Sequence, residues 1–207
     1  MSKSNNQLHG KRIEDQIKSV FPGSSDHSRS VASLFDIEDI FDKECNLNTS
    51  VKASGSDTIC LADARRFFEH DESFRLLVCR YKQIDDIKSF KLFQEVIMDE
   101  NVLNYLRGNL PYQVVSDYHE NIKMFPRGQE VQARIYAKNQ KKILTETYTS
   151  NLKLNAKIDS NNQRRLQCSL NIKDLYDAFP ENVIVHTDRY KGLIFPLNIE
   201  SNCRKFR

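Results

Sequence analysis

The sequence contains no tryptophan and only six glycines and five prolines among 207 residues. Phosphate-cradling loops depend on glycine, and the chain has neither a G-x-x-x-x-G-K-[ST] loop nor a G-x-G-x-x-G turn. Nucleotide-cofactor chemistry is therefore not expected. Long apolar runs are also missing. Stretches such as Leu76-Leu77-Val78-Cys79 fall far short of the ~20 residues that span a bilayer. No membrane span is expected. The polar start, Met1 to Gln7, lacks the apolar stretch of a secretory signal, so a cytoplasmic protein is expected. Five cysteines (Cys45, Cys60, Cys79, Cys168 and Cys203) form no C-x-x-C pair, and their odd number closes no disulfide framework. They read as reduced thiols. His9, His27, His70, His119 and His186 show no zinc-ligand spacing.

What is present is an ordinary globular balance, 39% hydrophobic and 29% charged, which argues against disorder over most of the length. The size suits one substantial domain, or a compact core carrying a second lobe. The net charge of +3 conceals an asymmetry. Residues 1–110 hold 15 Lys/Arg against 18 Asp/Glu, whereas residues 111–207 hold 16 against 10. An acidic half able to hold a divalent cation, joined to a basic half able to hold a polyanion, suits a nucleic-acid enzyme.

Apolar periodicity predicts a helix over residues 10–21, with Ile13, Ile17, Val20 and Phe21 on one face and Pro22-Gly23 as its stop. Residues 31–41 and 47–54 read as two strands of a hairpin, residues 61–70 as a short helix, and residues 74–83 as a buried strand. Ile87, Phe90, Phe93, Ile97, Leu103 and Leu106 predict one long amphipathic helix. Beyond Pro111 the texture reads as β-prone: strands over 130–137, 143–149, 152–158, 166–172, 183–186 and 192–199, interrupted by a helix over 172–179. The expected architecture is an α+β fold. Residues 1–110 would form a mixed sheet flanked by helices, and residues 111–207 a β-rich lobe of the same compact unit.

The order helix, strand, turn, strand, helix, strand, helix, with Phe35-Asp36-Ile37 on the first strand and Ser50-Val51-Lys52 on the second, resembles the catalytic core of the PD-(D/E)XK nucleases, particularly type II restriction endonucleases. The resemblance covers roughly residues 10–107. It implies a site-specific endonuclease that hydrolyses phosphodiester bonds of double-stranded DNA with Mg²⁺, without a covalent intermediate. It also implies a homodimer or higher homo-oligomer, since two copies cut both strands of a symmetric site. Ser50 departs from the pattern, because the tripeptide's first residue is ordinarily an acid. The sequence is similar in this respect to restriction enzymes with an S-x-K variant, in which a Glu on the following helix replaces that carboxylate. Glu69 is the matching residue, and Glu14 on the first helix is a further possible contributor.

The chemistry can also be argued from the residues. Side chains two apart on a strand share a face, so Ser50 and Lys52 point together, as do Asp36 and Glu38. Pairing Asp36 with Lys52 in an antiparallel hairpin would place Glu38 opposite Ser50 and gather all four groups. A one-residue slip would instead pair Asp39 with Ser50 and make Asp39 the nearer acid. Mg²⁺ is held by one or two carboxylates plus waters and a substrate phosphate, a role open to Asp36 and Glu69. Lys52 would then stabilise the transition state.

In the basic half, Arg134, Lys138, Lys141 and Lys142 surround an expected turn, Arg164 and Arg165 occupy another, and Arg189 and Lys191 a third. These are the candidate DNA contacts, with Arg suited to guanine edges and Lys to phosphate. The alternative is a non-catalytic DNA- or protein-binding module in which Asp36, Ser50 and Lys52 are structural.

Overall fold

A computed structural model describes residues 15–18, 35–39, 46–84, 87–159, 163–186 and 197–198. The fold is α+β, and the chain forms two compact units that interleave along the sequence instead of following one another across residue 110. The first comprises residues 1–57, 73–98 and 176–207, and the second residues 58–72 and 99–175. Among the described residues no helix is long and apolar enough to cross a membrane.

The first unit is built on a mixed sheet. Strand β1 (Thr49–Ser54) pairs in parallel with β3 (Phe74–Ile84), which pairs antiparallel with β4 (Ile87–Met98). Strands β7 (Val183–His186) and β8 (Leu197–Asn198) both pair with β4, giving the order β1-β3-β4-β7 with β8 off that path. Leu76, Leu77, Val78 and Cys79 are all 0% exposed. Successive residues of a strand face opposite ways, so a run buried at every position marks a strand covered on both faces. On one face Val51, Leu77, Cys79, Phe90 and Phe93 pack with Ile17, from the helical residues 15–18, and with Ile37.

Strand β4 corrects the single long helix expected from residue 87. Its apolar residues recur every three or four positions, but Phe93 and Glu95 lie on one face and Val96 and Met98 are buried from the other. A strand buried on both sides carries no clean period of two, so its pattern imitates a helix. A helix, α2 (Glu100–Arg107), follows immediately. It starts where the Asp99 carboxylate accepts from the Val102 N–H at 3.0 Å. It ends at Gly108, whose φ of +58° suits glycine, and where a Cβ would stand 1.8 Å from the Thr149 carbonyl oxygen.

The second unit contains a three-stranded antiparallel sheet, β2 (Thr58–Asp63), β6 (Arg164–Asn171) and β5 (Lys153–Ile158), in that order. Its helices include α1 (Ala64–Glu69), α3 (Tyr112–Lys123) and α4 (Glu130–Thr147); α5 (Ile172–Ala178) follows β6. Helix α4 replaces the strands expected over 130–137 and 143–149, and α3 fills a stretch left without any expected element. The β-branched residues that suggested strands, Val131, Ile135 and Ile143, are the exposed side of α4, while Ala133, Ala137 and Leu144 are buried. Small residues let α3 and α4 approach closely, and the Tyr118 hydroxyl donates to the Ala137 carbonyl oxygen at 2.9 Å. Residues 112–123 and 130–147 are thus helical, and the β content of the expected C-terminal lobe begins only at Lys153.

Candidate active site

Among the described residues β1 has no strand beside it other than β3, so its other side presents backbone groups that the sheet does not pair. Residues 36 and 37 satisfy several of them. The Thr49 carbonyl oxygen accepts from the Asp36 N–H at 2.8 Å and the Ile37 N–H at 3.0 Å, and the Thr49 N–H donates to the Ile37 carbonyl oxygen at 2.8 Å. Instead of a regular hairpin strand, residues 35–39 make one antiparallel bridge, Ile37 to Thr49. That bridge sets Asp36 opposite Ser50, two residues away from the expected partner Lys52. A two-residue shift preserves which face each side chain takes. Glu38 lies opposite Asn48 in this register and so is not gathered with Ser50. The slipped register that would favour Asp39 is not formed, and Asp39 is exposed, with its N–H donating to Asn48 Oδ1 at 3.3 Å.

The Asp36 carboxylate reaches the centre of β1. Its Oδ2 accepts from the Val51 N–H at 2.6 Å and lies 3.6 Å from Lys52 Nζ. The side chains of Lys52 and Asp36 are 22% and 20% exposed, so the pair is open to solvent. Among the described residues Asp36 Oδ1 accepts no hydrogen bond. Ser50 shares the Lys52 face of the strand but is buried, at 4% exposed. Val51 points into the apolar cluster behind, anchoring the tripeptide.

Beneath this pair lies a buried charge network that no sequence pattern announced. Arg75 is 0% and Glu95 1% exposed, and Arg75 Nη1 is 3.4 Å from Glu95 Oε2. The same guanidinium donates to Thr49 Oγ1 from Nε at 3.0 Å and from Nη2 at 2.8 Å. Thr49 therefore joins the sheet interior to the segment that carries Asp36. Near it, burial pushes the Cys79 thiol pKa upward, with the Asp36 charge adding to the effect, so this cysteine stays protonated and inert.

Glu69, the expected substitute for the missing tripeptide acid, belongs to the second unit and is exposed in the last turn of α1. Glu14, also considered from sequence, lies outside the described residues. The carboxylate brought to Lys52 is Asp36, and no group of three His, Cys, Asp or Glu side chains suited to a metal occurs among the described residues. The Oδ1 of Asp36, which accepts no hydrogen bond among the described residues, nevertheless suits a Mg²⁺ ion that would be held through one carboxylate, waters and a substrate phosphate.

The basic candidates separate into three groups. Arg134, Lys138, Lys141 and Lys142 stand on α4 and not around a turn. Arg134 Nη2 donates to the Ile158 carbonyl oxygen at 3.0 Å, Lys141 Nζ to Asn155 Oδ1 at 3.4 Å, and Lys142 lies 3.8 Å from Glu146, while Lys138 is exposed. Arg164 and Arg165 begin β6, again not a turn. Arg164 is buried, 3.2 Å from Glu130 and donating to the Asp159 and Gln163 carbonyl oxygens at 2.9 Å each, so its role is structural; Arg165 is exposed. Arg189 and Lys191 lie outside the described residues. No protein-family model matches the chain, and neither a curated protein nor a solved structure does.

Proposed function

We propose that the chain is a Mg²⁺-dependent endonuclease of double-stranded DNA, resembling type II restriction enzymes, with Asp36 and Lys52 as its catalytic pair. The observation that carries this reading is the seating of the half-buried Asp36 carboxylate against the half-buried Lys52 ammonium, at a strand whose residue Val51 is locked in the core. A hydrolytic site needs charge of both signs held in fixed positions before the phosphate arrives. The Val51 N–H and Lys52 engage Asp36 Oδ2, and Oδ1 would serve the cation. A bound Mg²⁺ would neutralise phosphate charge and acidify a water ligand. Lys52 would orient the attacking water or stabilise charge developing on the phosphate oxygens. Cutting both strands of a symmetric site calls for two copies of the chain, acting in the cytoplasm.

The alternative is a non-catalytic module in which Asp36 serves only to close the edge of β1. Its support is that Asp36 Oδ2 already meets two partners. Plasmid incubation decides between them. Wild-type protein should convert supercoiled DNA to nicked and linear forms with Mg²⁺ and not with EDTA. Lys52→Ala and Asp36→Asn should each slow conversion by about a hundredfold or more. Wild-type rates from a folded Lys52→Ala protein would eliminate the nuclease reading.

A further inference from the structure

The sheet of the second unit has one face in its core and another whose β5 and β6 positions hold exposed Lys153, Lys157 and Arg165 beside half-buried Asn155 and Gln167 and buried Ser169. Ile59, Leu154, Leu166 and Leu170 are buried. Directly opposed residues share a face, so the pairs Lys153 with Ser169, Asn155 with Gln167, and Lys157 with Arg165 lie together on the other side. Lys153, Lys157 and Arg165 are exposed, and none of them has an ion-pair partner among the described residues. Lys141 reaches the same side from α4 through its bond to Asn155.

Lys157 and Arg165 stand directly opposite each other on neighbouring strands, an arrangement that destabilises a sheet. Surface charge that serves only solubility is easily placed elsewhere. An uncompensated cross-strand pair of cations instead suits a surface completed by an anion. The face carries no aromatic side chain at its outward β5 and β6 positions, so it offers no platform on which single-stranded bases would stack. Protein interfaces favour aromatic and apolar cores and are poor in lysine, unlike this face. Lys153 and Lys157 are about 13 Å apart by strand rise, wide enough to address separate phosphates of a backbone.

We propose that the outward face of β5 and β6, through Lys153, Lys157, Arg165 and Lys141, binds the phosphate backbone of duplex DNA. The choice of DNA as the duplex rests on the nuclease reading, but binding itself does not require cleavage. The test is fluorescence anisotropy with a labelled duplex in EDTA at several salt concentrations, comparing wild type with the double variant Lys157→Gln, Arg165→Gln. Wild type should bind. The double variant should bind about tenfold more weakly or worse, and its log–log salt slope should be shallower by roughly 0.9 for each lost contact. Its melting temperature should not fall, because the substitutions relieve repulsion. No binding by wild type, or an unchanged affinity and slope in a folded double variant, would overturn the proposal. Equal affinity for single-stranded DNA of the same length, or full competition by polyglutamate, would also overturn it. A protein that binds through this face but never cuts with Mg²⁺ would refute the nuclease reading alone.

Discussion

The two sheets handle charge in opposite ways. In the first unit the buried part of the central strand β3 is covered on both faces, and its buried cation, Arg75, is sealed from water with Glu95 and Thr49 as partners. In the second unit β5 and β6 are covered on one side, and Lys153, Lys157 and Arg165 face outward without an ion-pair partner among the described residues. Burial obliges a charge to be neutralised inside the protein, whereas an open face leaves it available to something else. Stability and binding should therefore respond differently to loss of charge in the two sheets.

The largest expected effect comes from breaking the internal solution. Arg75→Met leaves Glu95 buried without its cation and Thr49 Oγ1 without two donors. It should cost about 3–5 kcal/mol in urea unfolding, as removal of one partner from a buried pair generally does. Replacing both partners, Arg75→Met with Glu95→Met, should recover most of that loss, because no unpaired charge remains. A single variant as stable as wild type would show that the guanidinium is not what secures β1. A double variant as damaged as the single one would show that shape, not charge, is at stake.

The same contrast explains what could be read in the sequence. Strands β1, β3, β5, β6 and β7 were legible because each is a short apolar or alternating run bounded by polar residues. Strand β4 was not, since two-sided burial erased its alternation and left spacings that suit a helix. Helix α4 imitates strands because its buried side is mostly alanine, with Leu144, while its β-branched residues face solvent. Helix α3 carries a helical signal, Val115, Tyr118 and Ile122 at i, i+3 and i+7. At the candidate site, Asp36 and Lys52 could be named because strand parity survives a two-residue shift in register. The Thr49, Arg75 and Glu95 network could not, because a charged residue in a strand gives no sign of its partner across the sheet. Lys153-Leu154-Asn155-Ala156-Lys157 alternates plainly, yet only the pairing with β6 reveals that Lys157 meets Arg165.

A smaller effect is expected where the second unit uses a carboxylate at its surface. Asp63 ends β2 and caps α1, with Oδ1 accepting from the Arg65 N–H at 3.1 Å and the Arg66 N–H at 3.4 Å. Asp63→Ala should cost about 1 kcal/mol, the usual value of such a cap, and Asp63→Asn should retain most of it. Equal losses for the two variants in urea titrations would assign the effect to charge and not to capping.

The other oxygen of that carboxylate leads to the subtlest expected effect, a dependence on pH. Asp63 Oδ2 lies 3.9 Å from His119 Nε2, and both ring nitrogens of His119 are buried without a hydrogen-bond partner among the described residues. Burial lowers the His119 pKa below its ordinary value, outweighing the upward pull of Asp63 and Glu120, while Lys123 and Arg65 push the same way as burial. The unfolded chain takes up this proton near pH 6.5, and the folded chain only at lower pH. In that window the unfolded state binds more protons, so stability present above about pH 6.5 is lost as the pH falls. The urea midpoint should therefore drop between pH 7.5 and 5.5, and His119→Gln should remove that part of the drop. Asp63→Asn takes away a group that favours the charged imidazole, so it should deepen the acid loss relative to its own value at pH 7.5. Identical acid profiles for wild type and His119→Gln would show that other groups set the pH response of the second unit.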